Sequence, residues 1–257
     1  MNKIAILIQT HNEEKNIEAC IASARLLSDT VIVVDMESTD KTQELARNYG
    51  ATVVSFPFSH YVEPGRAFAI QQIKSDWVFI LDADERMTKD LAIEIQKTIE
   101  NTNYTYFKVP RKNMFGGKKW LKHGGWWPDE QTRLIKFSAF KSWPTKIHST
   151  PIIEGEMGHL LTAFEHHFHG NVETMVEKTL VFEHIESDLL FNANKSVSTP
   201  TFFRKFFGEL FRRLIQRAGF LDGSVGIIES VYQAYSKTIT YLLLYEKKNR
   251  RPIHPLS

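Results

Sequence analysis

At 257 residues, 42% hydrophobic and 24% charged, the chain is long enough for one large globular domain or a domain with a substantial appendage. Its single cysteine, Cys20, excludes an internal disulfide framework and a multi-cysteine zinc site, and fits a reducing cytoplasm. The net charge of +2 conceals an asymmetry, with +6 over residues 199–257 and −4 over the remainder. An acidic surface is therefore an expected partner of the C-terminal end, whereas nucleic acid is not expected, because no basic stripe runs through the sheet segments.

Ile4 to Ile8 is a short apolar run that meets Gln9 and Thr10. It lacks the length and the cleavage site of a signal peptide and reads as a first strand. Asn12 stands where it can cap a helix with Glu13 and Glu14 in its first turn, and Ile17, Cys20, Ile21, Ala24 and Leu27 give that helix one apolar face. Val31 to Val34 reads as a second buried strand ending at Asp35. The polar loop Met36-Glu37-Ser38-Thr39-Asp40 leads into a helix with Leu45 and Ala46 inward, closed by Gly50. Ala51 to Phe56 is a third strand, and Pro64-Gly65-Arg66 opens a further helix. Trp77 to Leu81, nearly continuous in apolar residues, suits a parallel strand buried on both faces. It ends in Asp82-Ala83-Asp84. In extended backbone Asp82 and Asp84 project to the same side, where a hard divalent cation would relieve their repulsion. Thr88 then caps a helix carrying Leu91, Ile95 and Ile99. Four strand-helix units in residues 1–100 imply an α/β fold with a right-handed, doubly wound, mostly parallel sheet and helices on both faces.

Beyond Glu100 the rhythm changes. Tyr104 to Pro110 and Thr132 to Phe137 look like strands, and the loop from Gly116 to Asp129 holds Trp120, Trp126 and Trp127. That loop suits either a surface gripping a ring-bearing ligand or a hairpin whose aromatics plug the sheet. Gly158 to His169 reads as one strand, with His167 and His169 on one face and His166 on the other; these are either a metal site or partly exposed strand histidines. From Val172 onward the chain reads as a helical extension, and residues 101–170 as the second half of the α/β domain. Between Phe202 and Arg217, Lys205, Glu209, Arg212 and Gln216 form one stripe, with Phe203, Phe206, Phe207, Leu210 and Leu214 largely opposite. Such a helix fits an anionic membrane (the segment 199–217), the catalytic domain, or a second subunit in a homodimer. No apolar stretch escapes interruption by charge for the length of a membrane span.

The ordered set Thr10-His11-Asn12-Glu13, Val33-Val34-Asp35 with Ser38-Thr39-Asp40, and Asp82-Ala83-Asp84 resembles the family 2 glycosyltransferases, whose Rossmann-like fold is called GT-A. His123-Gly124-Gly125-Trp126-Trp127-Pro128-Asp129-Glu130-Gln131-Thr132-Arg133-Leu134 and Gly219-Phe220-Leu221-Asp222-Gly223 are similar to the bacterial branch that includes lipopolysaccharide-core β-1,4-glucosyltransferases. The sequence departs from that branch at Ser149, which follows His148 where the branch often has Glu. The resemblance implies a nucleotide-sugar donor, expected to be UDP-linked, and a glycan or glycolipid acceptor. It implies Thr10, Asn12, Glu13, Ser38 and Arg66 near the donor, Asp35 on the base, and Asp82 on the ribose or the metal. Asp84, with His148 as a further candidate, would ligate Mg²⁺ or Mn²⁺. It further implies Asp129 as general base, with Glu130 as the rival carboxylate, and Trp126, Trp127, Glu130 and Arg133 on the acceptor side. Transfer with inversion, in the cytoplasm or at the inner face of its membrane, is the expected activity. A polyprenyl-phosphate sugar synthase is the alternative. A non-catalytic glycan-binding scaffold is a third reading, opposed by the presence of Asp82, Asp84 and Asp129.

Overall fold

The computed structural model describes residues 2–146, 149–168 and 172–249. Its elements, in chain order, are β1 (Ile4–Thr10), α1 (Ile17–Ala24), β2 (Val31–Asp35), α2 (Thr42–Asn48), β3 (Thr52–Ser55) and α3 (Glu63–Gln71). Next come β4 (Trp77–Asp82), β5 (Glu85–Arg86), α4 (Lys89–Glu100), β6 (Tyr106–Phe115), β7 (Lys119–Trp120) and β8 (Glu130–Lys136). The short strands β9 (Phe140–Ser142), β10 (Ile152–Ile153), β11 (Met157–His159) and β12 (Phe164–His166) follow, then α5 (Val172–Asn192), α6 (Thr199–Phe211) and α7 (Ser224–Asn249).

The main sheet runs β3-β2-β1-β4-β8-β6-β12-β5. β3, β2, β1 and β4 are parallel, and β8 lies antiparallel between β4 and β6. Alternation along the strands feeds two apolar layers. Ile6, Ile8, Val31, Val33, Phe79 and Leu81 pack with α1 and α4, while Ala5, Leu7, Ile32, Val34, Val78 and Ile80 pack with α3. This is the doubly wound arrangement expected of the N-terminal half. Register aligns Thr10 with Asp35 and Gln9 with Asp82, so three strands deliver polar side chains at one sheet edge. Ligands of open α/β sheets gather at that edge.

Two local expectations fail for identifiable reasons. Asn12 does not cap α1, whose N-cap is Asn16. Asn12 sits at φ +51° and turns its side chain to the other loop, where Oδ1 accepts from the Thr39 amide at 2.8 Å. Gly158 to His169 is not one strand but β11 and β12. Between them the amides of Leu161 and Thr162 donate to the Glu94 carboxylate, each at 2.8 Å, and that acceptor on α4 draws the chain out of the sheet. His148 and His169 lie outside the described residues.

The chain forms two compact units, one from residues 1–113 and 128–168, the other from 114–127 and 169–257. Within the second unit α5 and α6 both pack on α7. The buried Asp222 carboxylate accepts from the amides of Lys122 and His123, at 2.9 and 2.8 Å, and pairs with His123 Nδ1 at 2.9 Å. A side chain at Gly226 would collide with the Gly219 carbonyl, which accounts for the small residues around Asp222. Among the described residues no helix is long and apolar enough to cross a membrane.

Candidate active site

The first unit concentrates charge at the C-terminal edge of its parallel strands. The β1–α1 and β2–α2 loops are locked together there: the Asn12 amide donates to Ser38 Oγ and the Glu13 amide to Thr42 Oγ1, each at 2.8 Å. Asp35, fully buried at the end of β2, accepts through Oδ2 from the Ser38 amide at 2.9 Å and from Gln43 Nε2 at 2.7 Å. Its Oδ1 and the neighbouring Thr10 Oγ1 are buried with no hydrogen-bond partner among the described residues. Buried polar atoms are normally satisfied, so this pair is shaped for a polar ligand.

β4 ends at Asp82, whose carboxylate is gripped from two sides. Arg66 Nη2 lies 2.9 Å from Oδ1 and Arg133 Nη2 2.9 Å from Oδ2. Burial opposes ionisation, but the charges of Arg133 and Arg66 outweigh it and hold Asp82 far below the usual carboxylate range. Both oxygens of Asp82, expected on the ribose or the metal, thus accept from guanidinium groups. Arg66 is itself oriented by Gln9, whose Oε1 accepts from its Nε at 3.2 Å, and its guanidinium lies over the Trp143 ring at 4.9 Å.

Arg133, expected on the acceptor side, joins this cluster. It is 2% exposed and bridges Asp82 to Glu85, with Nη2 2.6 Å from Glu85 Oε1. Buried in that bridge, it acts as an internal cation between the two carboxylates. Glu85 has no exposed surface; it takes the Asp82 amide on Oε2 at 2.9 Å and Arg111 Nη1 on Oε1 at 3.4 Å. Burial pushes its carboxyl upward, partly offset by Arg133. Arg111 then reaches Asp129, with Nε 2.8 Å from Oδ2. Three guanidiniums and three carboxylates thus alternate in the order Arg66, Asp82, Arg133, Glu85, Arg111, Asp129.

Asp129 accepts two further bonds, from Asn113 Nδ2 at 2.9 Å and Gln131 Nε2 at 2.7 Å. Partial burial works against its charge, yet Arg111 and these amides keep its carboxyl below the ordinary value. Glu130 points elsewhere and meets His159 Nδ1 at 3.0 Å. Asn113, fully buried on β6, also accepts from His166 Nδ1 at 2.7 Å. That bond leaves His166 Nε2 facing Asp84, 3.4 Å from Oδ2. One carboxylate oxygen and one imidazole nitrogen on neighbouring elements fit a divalent ion that tolerates mixed ligands, Mn²⁺ more readily than Mg²⁺. No cluster of three metal-ligating side chains is gathered among the described residues, so such an ion would need ligand oxygens to complete its shell.

In the second unit Trp127 meets Trp120 edge-on, with centroids 5.3 Å apart, and Arg213 lies over the Trp126 ring at 5.6 Å. Glu85, Arg111 and Asn113 escaped sequence reasoning. A signal existed for two of them, since Arg111 and Asn113 alternate on a strand paired with the one carrying Arg133.

A parallel α/β sheet with carboxylates and arginines at its C-terminal edge is the frame of a nucleotide-dependent enzyme. Residues 5–154 match the family model described as Glycosyl transferase family 2, and the chain belongs to that family, with its GT-A sheet and a C-terminal helical extension. Among curated relatives, an uncharacterized glycosyltransferase of Rickettsia typhi is 27% identical, covering 96% of this chain and 88% of the relative. The lipopolysaccharide core biosynthesis glycosyltransferase LpsC of Rhizobium meliloti is 26% identical over 92% of this chain and 89% of its own. Among solved structures, a mycobacterial protein aligns over 74% of both chains at 16% identity and TM-score 0.48. Glucosyl-3-phosphoglycerate synthase of Mycobacterium tuberculosis, solved with Mn²⁺, UDP-glucose and phosphoglyceric acid, aligns over 43% of this chain and 44% of its own at 22% identity and TM-score 0.36.

Proposed function

We propose that this chain is an inverting, metal-dependent transferase that moves a sugar from a UDP-linked donor to a hydroxyl of a cell-surface glycan or glycolipid. The observation that carries the uridine donor is the unsatisfied Asp35 Oδ1 beside Thr10 Oγ1. A buried carboxylate oxygen without a donor suits the imide N–H of uracil, and the hydroxyl suits a base carbonyl. The LpsC relative, with its name in lipopolysaccharide core synthesis, supports a glycan of that class as acceptor.

In this reading Arg66 and Asp82 meet the ribose and phosphates, and Asp84 with His166 holds the ion. An ion held by Asp84 and His166 would supply Lewis-acid neutralisation of the charge that grows on the leaving group. Asp129 takes the acceptor proton. Three donors fix its carboxylate in place, while Glu130 is engaged by His159, which favours Asp129 over Glu130 as base. Its depressed pKa makes it a weak base but keeps it ionised at neutral pH, ready to accept a proton late in the attack. Asn113 ties His166 to Asp129, so the metal ligand and the base share one positioning residue. Inversion and the acceptor roles of Trp126 and Trp127 rest on the family resemblance.

Calorimetry with UDP, with and without Mn²⁺, tests the reading on the wild type and Asp84→Ala. Metal-dependent binding that Asp84→Ala abolishes is expected. Absence of UDP binding under both conditions would refute the uridine donor, and GDP, CMP and dTDP would then be compared.

A further inference from the structure

The second unit presents its apolar residues outward where an amphipathic helix of a self-contained bundle would hide them. On α6, Lys205 lies against the Tyr241 ring at 4.5 Å and Glu209 is held by Arg212 and Arg213, so the polar stripe contributes to packing. Of the opposite stripe, Phe206, Leu210 and Leu214 are half-buried, while Phe203 and Phe207 are left uncovered. Phe203, Phe207, Phe211, Ile215, Phe220 and Leu221 are each between 49% and 63% exposed. Residues four apart on an α-helix drift by about 40° per step, since four residues make slightly more than one turn. The π-helical segment Arg212–Gln216 winds more slowly and cancels part of that drift, keeping Ile215 in line with the phenylalanines. The 3-10 turn Gly219–Asp222, reached through the left-handed Ala218, adds two further exposed apolar side chains, Phe220 and Leu221. Contiguous exposed apolar surface of this kind marks an interaction site.

Charge identifies the partner. From Thr199 to Gly223 the acids are Glu209 and Asp222, and both are turned inward, Glu209 to two arginines and Asp222 to His123. Arg204 and Arg217 are exposed along the same segment. The exposed charged side chains of this segment are therefore all cationic, Arg217 with its guanidinium laid against Gly125. A second copy docked through the same patch would set arginine against arginine with nothing to neutralise them, because a two-fold contact is self-complementary. An anionic bilayer satisfies both features at once: acyl chains take the rings and phosphate headgroups take the guanidiniums.

We infer that the face formed by α6, its π-helical continuation and the following turn docks on an anionic phospholipid surface. Burial of the rings gives the affinity, and Arg204 with Arg217 gives the preference for negative headgroups. The inference stands on surface geometry and does not depend on the donor or acceptor assigned above.

Sedimentation of the full chain with vesicles of phosphatidylcholine alone, or mixed with phosphatidylglycerol, tests it without reading activity. Binding to the mixed vesicles is expected, at least tenfold weaker to phosphatidylcholine and reduced by salt. The pair Phe207→Ser and Phe211→Ser should weaken binding to mixed vesicles at least tenfold, and Arg204→Gln with Arg217→Gln should erase the headgroup preference. As a second measurement, Phe207→Cys labelled with a polarity-sensitive fluorophore should shift to the blue on mixed vesicles; Cys20 is fully buried, so labelling is selective. No binding by the wild type, binding unchanged by the phenylalanine pair, or no spectral shift would each overturn the inference. So would a stable wild-type dimer that the phenylalanine pair converts to monomer, since a second copy would then be the occupant.

Discussion

Replacing Arg133 with methionine removes the central cation of the alternating chain while keeping the side-chain volume. Arg133 is 2% exposed and touches Asp82 at 2.9 Å and Glu85 at 2.6 Å. Its loss leaves Glu85, which has no exposed surface, with only the longer contact to Arg111 at 3.4 Å among its guanidinium partners. Breaking a buried ion pair by deleting one member costs about 3–5 kcal/mol, because the remaining charge stays desolvated. With a urea m-value of roughly 3 kcal/mol/M for a chain of this size, the unfolding midpoint should fall by about 1–1.7 M. Adding Glu85→Gln to the same chain removes the stranded charge, and the introduced carboxamide oxygen can still accept from the Asp82 amide. The double variant should therefore recover more than half of the loss, giving a coupling energy well above about 1 kcal/mol. Urea denaturation followed by circular dichroism on the four proteins measures this directly. A midpoint shift below about 0.3 M for Arg133→Met, or additivity of the two substitutions, would refute the claim that the buried charges act as one network.

Two further outcomes follow from particular groups. Asp129→Asn should lower kcat by about 10²–10⁴ while leaving UDP-sugar affinity within a few-fold, since an amide cannot take the acceptor proton; steady-state turnover paired with calorimetry separates the two, and unchanged turnover would remove Asp129 as base. Glu229, buried in α7, has its carboxyl pushed up to about 7 by desolvation, with Gln233 and Arg213 offsetting only part. Because the folded form holds its proton more tightly than the unfolded chain, Glu229 lowers stability as pH rises from about 4.5 to 7, by about 3 kcal/mol in all. Glu229→Gln should raise the melting temperature at pH 8 and leave it unchanged at pH 4; equal shifts at both values would contradict the assignment.

The strand-helix order is legible because each element of the N-terminal half declares itself locally. Val31 to Val34 and Trp77 to Leu81 are buried on both faces and therefore read as apolar runs, and Thr88 caps α4 as its side chain predicts. Asn12 misleads because a capping residue and a loop clamp have the same composition; only the approach of the β2–α2 loop decides which amide its side chain meets. The break between β11 and β12 is invisible for a similar reason, since it depends on Glu94, more than 60 residues earlier in the chain. On α6 the periodicity holds, and the direction, which the pattern leaves open, is set by packing. A stripe of phenylalanines says that one face differs from the other, while packing on α7 through Lys205 decides which face is left outside.

At the site, the carboxylates are legible and their partners are not. Asp82, Asp84 and Asp129 stand at strand ends, where spelling and strand position together mark them. Glu85, Arg111 and Arg133 acquire meaning only through one another, across β4, β5, β6 and β8. Arg133 and Glu85 are buried and the other four groups half-buried, and such an array gives little net stability over apolar residues of the same volume, because desolvation consumes much of the attraction. What such an array provides is fixed orientation: each carboxylate is held by groups that cannot turn without breaking another pair. The array runs from Arg66 to Asp129, and in the proposed reaction it would hold charge in place where a phosphate leaves and a proton is taken, without reorganisation at the moment of reaction. The ladder is thus better explained by catalysis than by folding, and that is why Arg133→Met is expected to damage both.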